Sequence, residues 1–534
     1  MASQDVEVEK KYDVGSDAPV PDLSAIPGVA RVGEPREDHL EAVYFDTQGQ
    51  VLAARGITLR RRTGGTDAGW HVKLPSDIAG VADAPGAAVA GPGAAEPRQR
   101  RELRAPLGQA DVVPDSLLAY LLSYLRGDDP LPAVRLETRR TTYPLYGGDG
   151  VHLADLADDR VSAHPLTGHA ADSEAPPQQW REWELELVHG SPDLFPAADD
   201  VLAAAGARPA EHGSKLAKAL RVTGARKAPA AGAQSARPPR KKGPVSDLLV
   251  AYLAGQVSEI LAHDPGVRLE QPEAVHDLRS ATRRARSALA AYRRYYSDAA
   301  VRRLRDELKW LAGVLGAPRD AEVMLERLRR HAAELPPGPA SKAAADRLEE
   351  ELGNTLDTGY RKLQKALLSE RYFRLLDDLE EFRDRPSVRA AGAAPARKEA
   401  RKLVHQAGKR LQRSARSAKR ARRGTEHETA LHQVRKDAKR MRHVAESVGP
   451  VYGKPAGKIV KAAQRQQKIL GDFQDSVVAR DLLARLAAMP DLSDGVASAY
   501  VTLHTREVEL AAEAEAAYWK DRKKSRTVLQ RGVI

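Results

Sequence analysis

Cysteine is absent from all 534 residues, which excludes disulfides, zinc–thiolate centres and thiol nucleophiles. Large apolar residues are scarce too. Five Phe, five Trp and four Met leave the cores to be built from Leu, Val and Ala, which suits helices. No segment runs apolar for long enough to span a bilayer, and the opening MASQDVEVEK lacks the apolar stretch of a signal peptide. These absences point to a cytoplasmic protein with no membrane partner.

A chain of this length exceeds what one hydrophobic core holds, so two or more domains are expected. Lys and Arg number 85 against 73 Asp and Glu, a net charge of +12 that favours polyanionic partners. The N-terminal part reads in short alternating segments: VEVEKKY, VYFDT, ITLRRR, WHVKLP, RQRRELRAP, VRLETRRTTYPL, VHLADL and REWELELV. These are strand patterns. Asp77 to Pro97 is a low-complexity excursion between two of them, and residues 223–245, rich in Ala, Pro and basic groups, read as a flexible linker. From Ser246 to about residue 525 the pattern is long, helical and Arg-rich. The expected organisation is therefore multi-domain α+β. An antiparallel β barrel or tunnel with flanking helices spans residues 5–222, and an all-α domain spans 246–525.

Side chains alternate across a strand. Glu7, Glu9 and Lys11 thus share one face, as do Arg60 and Arg62, His71 and Lys73, then Arg100, Glu102 and Arg104, and lastly Glu182, Glu184 and Glu186. Any one of these could be a solvated strand face, but five together suit a closed barrel with a polar lumen. Carboxylates there would hold a hard divalent cation, and Arg and Lys would clamp phosphate oxygens.

The opening E-x-E-x-K (Glu7, Glu9, Lys11), the YFDT at Tyr44, the LRRR ending at Arg62, the ELELV after Trp183 and the SKLAKAL at Ser214 resemble the CYTH superfamily. That resemblance implies an antiparallel tunnel acting on triphosphates with Mg2+ or Mn2+. It implies metal ligation by Glu7, Glu9, Glu184 and Glu186, with Asp158 preferred over Asp155 and Asp159 as a further ligand. Triphosphate binding would fall to Lys11, Arg60, Arg62, Lys73, Arg140 and Lys215, with Glu7, Glu9 and Lys11 the catalytic set. His152 departs from the family pattern, standing where a glutamate is often found.

The helical half contains a repeat. HDLRSATRRAR from His276 aligns with HQVRKDAKRMR from His432, and LGAPRD ending at Asp320 answers LGDFQD ending at Asp475. Helical spacing places His276, Arg279, Arg283 and Arg286 on one stripe, and His432, Arg435, Lys439 and Arg442 on another. Arg284 and Arg440 flank them. A single basic helix is usually a solvated face, whereas two copies at equal spacing suit a path for linked phosphates. Asp320 and Asp475 are expected to cap or pair with arginines. These motifs resemble the CHAD domain, two repeated helical bundles, and the resemblance implies binding of inorganic polyphosphate and location at polyphosphate granules. Two alternatives stand beside a triphosphate-hydrolysing, polyphosphate-binding protein: a non-catalytic granule binder and a nucleic-acid binder. Tyr292, Tyr295 and Tyr296 are the aromatics that could stack on bases in the last case.

Overall fold

Because charged and apolar residues alternate, each N-terminal strand has two unlike faces, and the sheet must curl to bury one of them. In the computed structural model, which describes residues 3–75, 96–166, 177–220 and 239–532, the strands are β1 (Ser3–Val14), β2 (Arg36–Asp46), β3 (Thr58–Thr63), β4 (Gly69–Pro75), β5 (Arg98–Ala105), β6 (Leu131–Tyr146), β7 (His152–Pro165) and β8 (Gln178–Leu187). They pair antiparallel in the order β1-β5-β4-β3-β2-β6-β7-β8, and β8 pairs again with β1, closing an eight-stranded barrel. Most of the Asp77–Pro97 excursion and of the expected linker falls outside the described residues.

Register decides what faces inward, because cross-strand partners share a face. Glu9 stands opposite Glu186 and Lys11 opposite Glu184. Glu7 pairs in register with Arg100, Lys73 with Glu102, and Asp159 with both Arg140 and Glu182. The odd-numbered charges of β1 and the even-numbered charges of β8 therefore meet in the lumen.

The opposite faces of the same strands are apolar. Tyr12, Leu156, Trp183 and Leu185 are buried beneath α1 (Leu194–Ala204), which contributes Phe195, Ala198 and Leu202. Lys10, next in sequence to Lys11, consequently points outward, and its ammonium pairs with Asp199 of α1 at 2.7 Å. One stretch of the interior is also apolar. There α2 (Lys215–Ala219), capped by the Ser214 hydroxyl accepting from the Ala217 N–H at 3.1 Å, sets Leu216 and Ala219 against Ala42, Val134, Leu136 and Val161.

The chain divides into two units, Met1–Ala233 and Gln234–Ile534. The second is built from α3 (Ser246–Arg268), α4 (Ala274–Tyr292), α5 (Asp298–Val314), α6 (Gly316–Ala332), α7 (Pro339–Leu367), α8 (Glu370–Asp384), α9 (Ala396–Arg420), α10 (Thr425–Ser447), α11 (Lys454–Ala487) and α12 (Asp494–Arg531). The two basic helices, α4 and α10, pack against each other. Each buries the side away from its basic stripe: Leu278, Ala281 and Ala285 in α4, and Val434, Ala438 and Met441 in α10. Among the described residues, no helix is long and apolar enough to cross a membrane.

Candidate functional site

The barrel lumen encloses a cavity of about 80 Å³ lined by charges of both signs. They are arranged as two groups. In the first, Lys73 pairs with Glu7 at 2.5 Å and Lys11 with Glu9 at 3.0 Å, while Glu186 makes no ion pair among the described residues. In the second, Arg140 grips Asp159 through bonds of 2.7 and 2.6 Å and reaches Glu184 at 2.7 Å. The Lys215 ammonium stands 2.7 Å from Asp159, 2.8 Å from Glu182 and 2.6 Å from Glu184, and Lys11 also contacts Glu184.

Electrostatics separate the two groups. Burial alone would raise Glu184, but Lys11, Lys215 and Arg140 outweigh it and hold the carboxyl well below its usual range. Asp159 is lowered in the same way by Arg140 and Lys215. In the first group Glu186 is pushed up to about 7 by burial and by the like charges of Glu7 and Glu9. Burial, Glu9 and Glu102 likewise raise Glu7. Glu9, by contrast, is brought down to about 2 because Lys11, Lys73 and Arg100 overcome its burial. Even so, its Oε1 is buried with no hydrogen-bond partner among the described residues. The Glu7–Glu9–Glu186 group is thus short of positive charge, and a divalent cation fits that deficit and that all-oxygen donor set.

Three arginines, Arg60, Arg62 and Arg140, crowd the rest of the lumen, and Arg62 also pairs with Asp67. Arg62 is held down to about 9 by burial and by its neighbours Arg60 and Arg140. Arg60 donates to the Tyr44 hydroxyl at 3.2 Å and lies 4.0 Å from Glu102. An anion between Arg60, Arg62 and Arg140 would relieve their repulsion.

Of the predicted lumen residues, Glu7, Glu9, Lys11, Arg60, Arg62, Lys73, Arg140, Glu184, Glu186 and Lys215 all line this cavity. Asp158 does not. It sits opposite Trp183 on the outward face, where Arg181 binds it at 2.8 Å through two nitrogens. The lumen position belongs to Asp159, and the parity of Glu182 on the paired strand is the signal that identifies it. Glu102, one of the alternating strand charges, also lines the wall, and so does Tyr44, which strand parity alone does not single out. His152 is half-buried, stacks on Tyr146 and bonds Asp155 at 2.7 Å.

In the helical unit, the repeated motifs make matching contacts. The Arg279 guanidinium lies beside Gly316 and bonds Asp320 at 2.9 Å, and the Arg435 guanidinium lies beside Gly471. A Cβ at Gly471 would meet the Arg435 guanidinium at 3.4 Å, an ordinary van der Waals contact. Arg283, Arg435 and Lys439 have no carboxylate within ion-pair distance among the described residues. Burial and the charges of Arg279, Arg435 and Arg286 bring Arg283 down to about 10. Lys439 is lowered to about 6 by burial and by Arg283, Arg435, Arg279 and Arg442. His432 is half-buried, and its Nδ1 has no hydrogen-bond partner among the described residues.

Other predicted residues serve different contacts. Arg442 binds Glu446 at 2.7 Å and Arg284 approaches the same carboxylate at 3.9 Å. Arg440 lies 3.6 Å from Asp437, which Arg410 of α9 also binds, and Arg286 feels the charge of Arg305 on α5. His276 is exposed at the start of α4. Arg305 and buried His443 border the basic cluster outside the repeated stripes, so spacing within a motif could not reveal them.

A closed antiparallel barrel with a lumen of paired acids and bases fits the CYTH tunnel, and a family model for the CHAD domain matches residues 251–484. At the level of the whole chain, the uncharacterized protein Rv2226 of Mycobacterium tuberculosis (strain H37Rv) is 36% identical over 518 residues, covering 95% of this chain and 93% of its own. The chain belongs to the same family as that mycobacterial protein. Similar solved structures are PptA from Streptomyces chartreusis (22% identity, TM-score 0.46, covering 52% of this chain and 99% of that one) and the CHAD domain from the plant Ricinus communis (26%, 0.42, 53% and 93%). A third is the proposed adenylyl cyclase HpAC1 from Hippeastrum, described with a dominant triphosphatase activity (17%, 0.24, 40% and 95%).

Proposed function

We propose that the barrel hydrolyses a phosphoanhydride bond of inorganic triphosphate, or of the end of a longer polyphosphate, and that the helical unit binds the polyphosphate chain. The observation that carries this reading is one lumen that gathers charge of both signs: Glu186, with no ion pair among the described residues, beside Glu7 and Glu9, and Arg62 crowded by Arg60 and Arg140. Glu7, Glu9 and Glu186 would hold Mg2+ or Mn2+, which when bound neutralises terminal phosphate oxygens and lowers the pKa of a bound water. Arg60, Arg62 and Arg140 bind and orient the phosphates and stabilise charge that grows on the leaving group. Glu184 is saturated by three cations and fits a role in holding Lys11 and Arg140 better than a role as metal ligand.

The test is phosphate release by the full-length chain from a panel of inorganic triphosphate, polyphosphate and nucleoside triphosphates, with Mg2+, Mn2+ or EDTA. Release that needs neither cation, or none from any substrate, overturns the tunnel reading. For the helical unit, Tyr292, Tyr295 and Tyr296 are each at most 1% exposed and cannot stack on bases, which disfavours nucleic acid. Long polyphosphate should therefore displace single-stranded DNA at equal phosphate concentration. The reverse ranking would favour the nucleic-acid reading.

A further inference from the structure

Asp159, Glu182 and Glu184 bring one oxygen each to within 4.8 Å of one another, all three residues being buried. Three carboxylates at that separation are a ligand set for a divalent cation. Here a cation already sits among them, the Lys215 ammonium, at 2.6–2.8 Å from each carboxylate. With Arg140 on Asp159 and Glu184, and Lys11 on Glu184, three positive groups balance three negative ones. The geometry points to Lys215 as the resident cation of this cage, so that the tunnel takes a single divalent ion, at Glu7–Glu9–Glu186, and the ammonium holds the position a second would fill.

This inference rests on the proposed function and refines it, because it moves Lys215 from phosphate ligand to positioning residue. The side chain is fixed at its base. Leu216 and Ala219 of the same short helix are 0% and 4% exposed and pack on the inner wall of the barrel. A tethered ammonium needs no recruitment from solution, and three donors in tetrahedral array satisfy three acceptors. A free Mg2+ or Mn2+ would have to displace it and leave a buried lysine without partners, a heavy penalty. The cage therefore stays monovalent, and Arg140, held between Asp159 and Glu184, keeps its aim into the lumen.

The experiment counts Mn2+ bound by the full-length chain, by calorimetric titration together with the spin–spin broadening that two neighbouring Mn2+ ions give in electron paramagnetic resonance. We expect one Mn2+ for the wild type, two coupled ions for Lys215→Met, and one again for the double variant Asp159→Asn with Lys215→Met. Two ions in the wild type, or one in folded Lys215→Met, overturns the inference and leaves the tunnel reading intact. No Mn2+ in the wild type overturns both. Should Lys215→Met melt early because its carboxylates repel, Mn2+ must raise its Tm more than it raises the wild-type Tm. An equal shift overturns the inference.

Discussion

Glu9 of β1 and Glu186 of β8 stand directly opposite each other across the seam that closes the barrel. Two carboxylates in register repel, and the strain shows in Glu186, whose carboxyl is pushed up to about 7 by burial and by Glu7 and Glu9. An acid with a raised folded value binds its proton more tightly in the folded chain, so stability falls as the pH rises from the ordinary carboxylate range past 7. Glu186→Gln keeps the shape and removes the repelled charge. At pH 8 without metal it should stabilise the protein by about 1–3 kcal/mol, read as a higher Tm. In the same variant Mn2+ affinity and phosphate release should drop, by about 100-fold for the latter. A variant that is destabilised and still turns over would show that Glu186 is an ordinary wall residue.

Adjacent residues of β7 give the next contrast. Asp159 faces the lumen and anchors Arg140 and Lys215, whereas Asp158 faces outward and anchors Arg181, which also donates to the Ser16 and Ala18 carbonyls. Asp158→Asn should leave a buried guanidinium half-satisfied and cost about 3 kcal/mol in chemical denaturation, with kcat of the folded protein unchanged. Asp159→Asn should instead raise KM for triphosphate and lower kcat, because Arg140 loses its bidentate anchor. Paired denaturation curves and steady-state phosphate release separate the two.

The same pair shows what the sequence can and cannot convey. Alternation on β1 and β8 places Glu7, Glu9, Lys11, Glu184 and Glu186 on common faces, and the closed barrel follows from eight such strands. Alternation in VHLADLADDRV, however, gives no origin. Asp155 and Asp159 have one parity and Asp158 the other, and only the register against Glu182 decides which set looks inward. The helical repeat is legible for a similar reason, since equal spacing marks equal faces. The sequence is silent on which stripe residues find counter-ions at a distance. Glu446 lies on the same helix as Arg442 but comes from the other repeat for Arg284, and Asp437 engages Arg410 from α9.

Arg283 and Arg435 come from different repeats, and neither has a carboxylate within ion-pair distance among the described residues, so their charges are free for a polyanion. Each contact with a phosphate releases condensed counter-ion, and the salt dependence of binding counts such contacts. Arg435→Ala should lower polyphosphate affinity about tenfold at low salt and make the log–log salt slope shallower by about one unit. Arg442→Ala, whose guanidinium is already neutralised by Glu446, should change the slope little. Fluorescence anisotropy with end-labelled polyphosphate over a salt series reads both. Equal slopes for the wild type and Arg435→Ala would place the phosphate path elsewhere.

Lys439 occupies the position that Arg283 holds in the first repeat, and the difference has a pH consequence. Burial and the charges of Arg283, Arg279, Arg435 and Arg442 lower its ammonium from 10.5 to about 6, so the free protein carries it neutral at pH 8. Between those values the unfolded chain holds the extra proton, and the folded state therefore gains stability as pH rises through about 6 and upward. A bound polyanion reverses the local field and returns the proton. Binding should then take up close to one proton at pH 8, and affinity should fall by up to about tenfold per pH unit between pH 7 and 9. His432 and His443 face the same cluster, and burial with these cations holds both below the usual imidazole value, so neither titrates in that window in the free protein. Lys439→Arg should bind polyphosphate with little pH dependence over this range, because guanidinium keeps its charge. Calorimetry in buffers of different ionisation enthalpy measures the proton uptake directly. No uptake by the wild type, or equal uptake by Lys439→Arg, would show that Lys439 stays charged in the unliganded cluster.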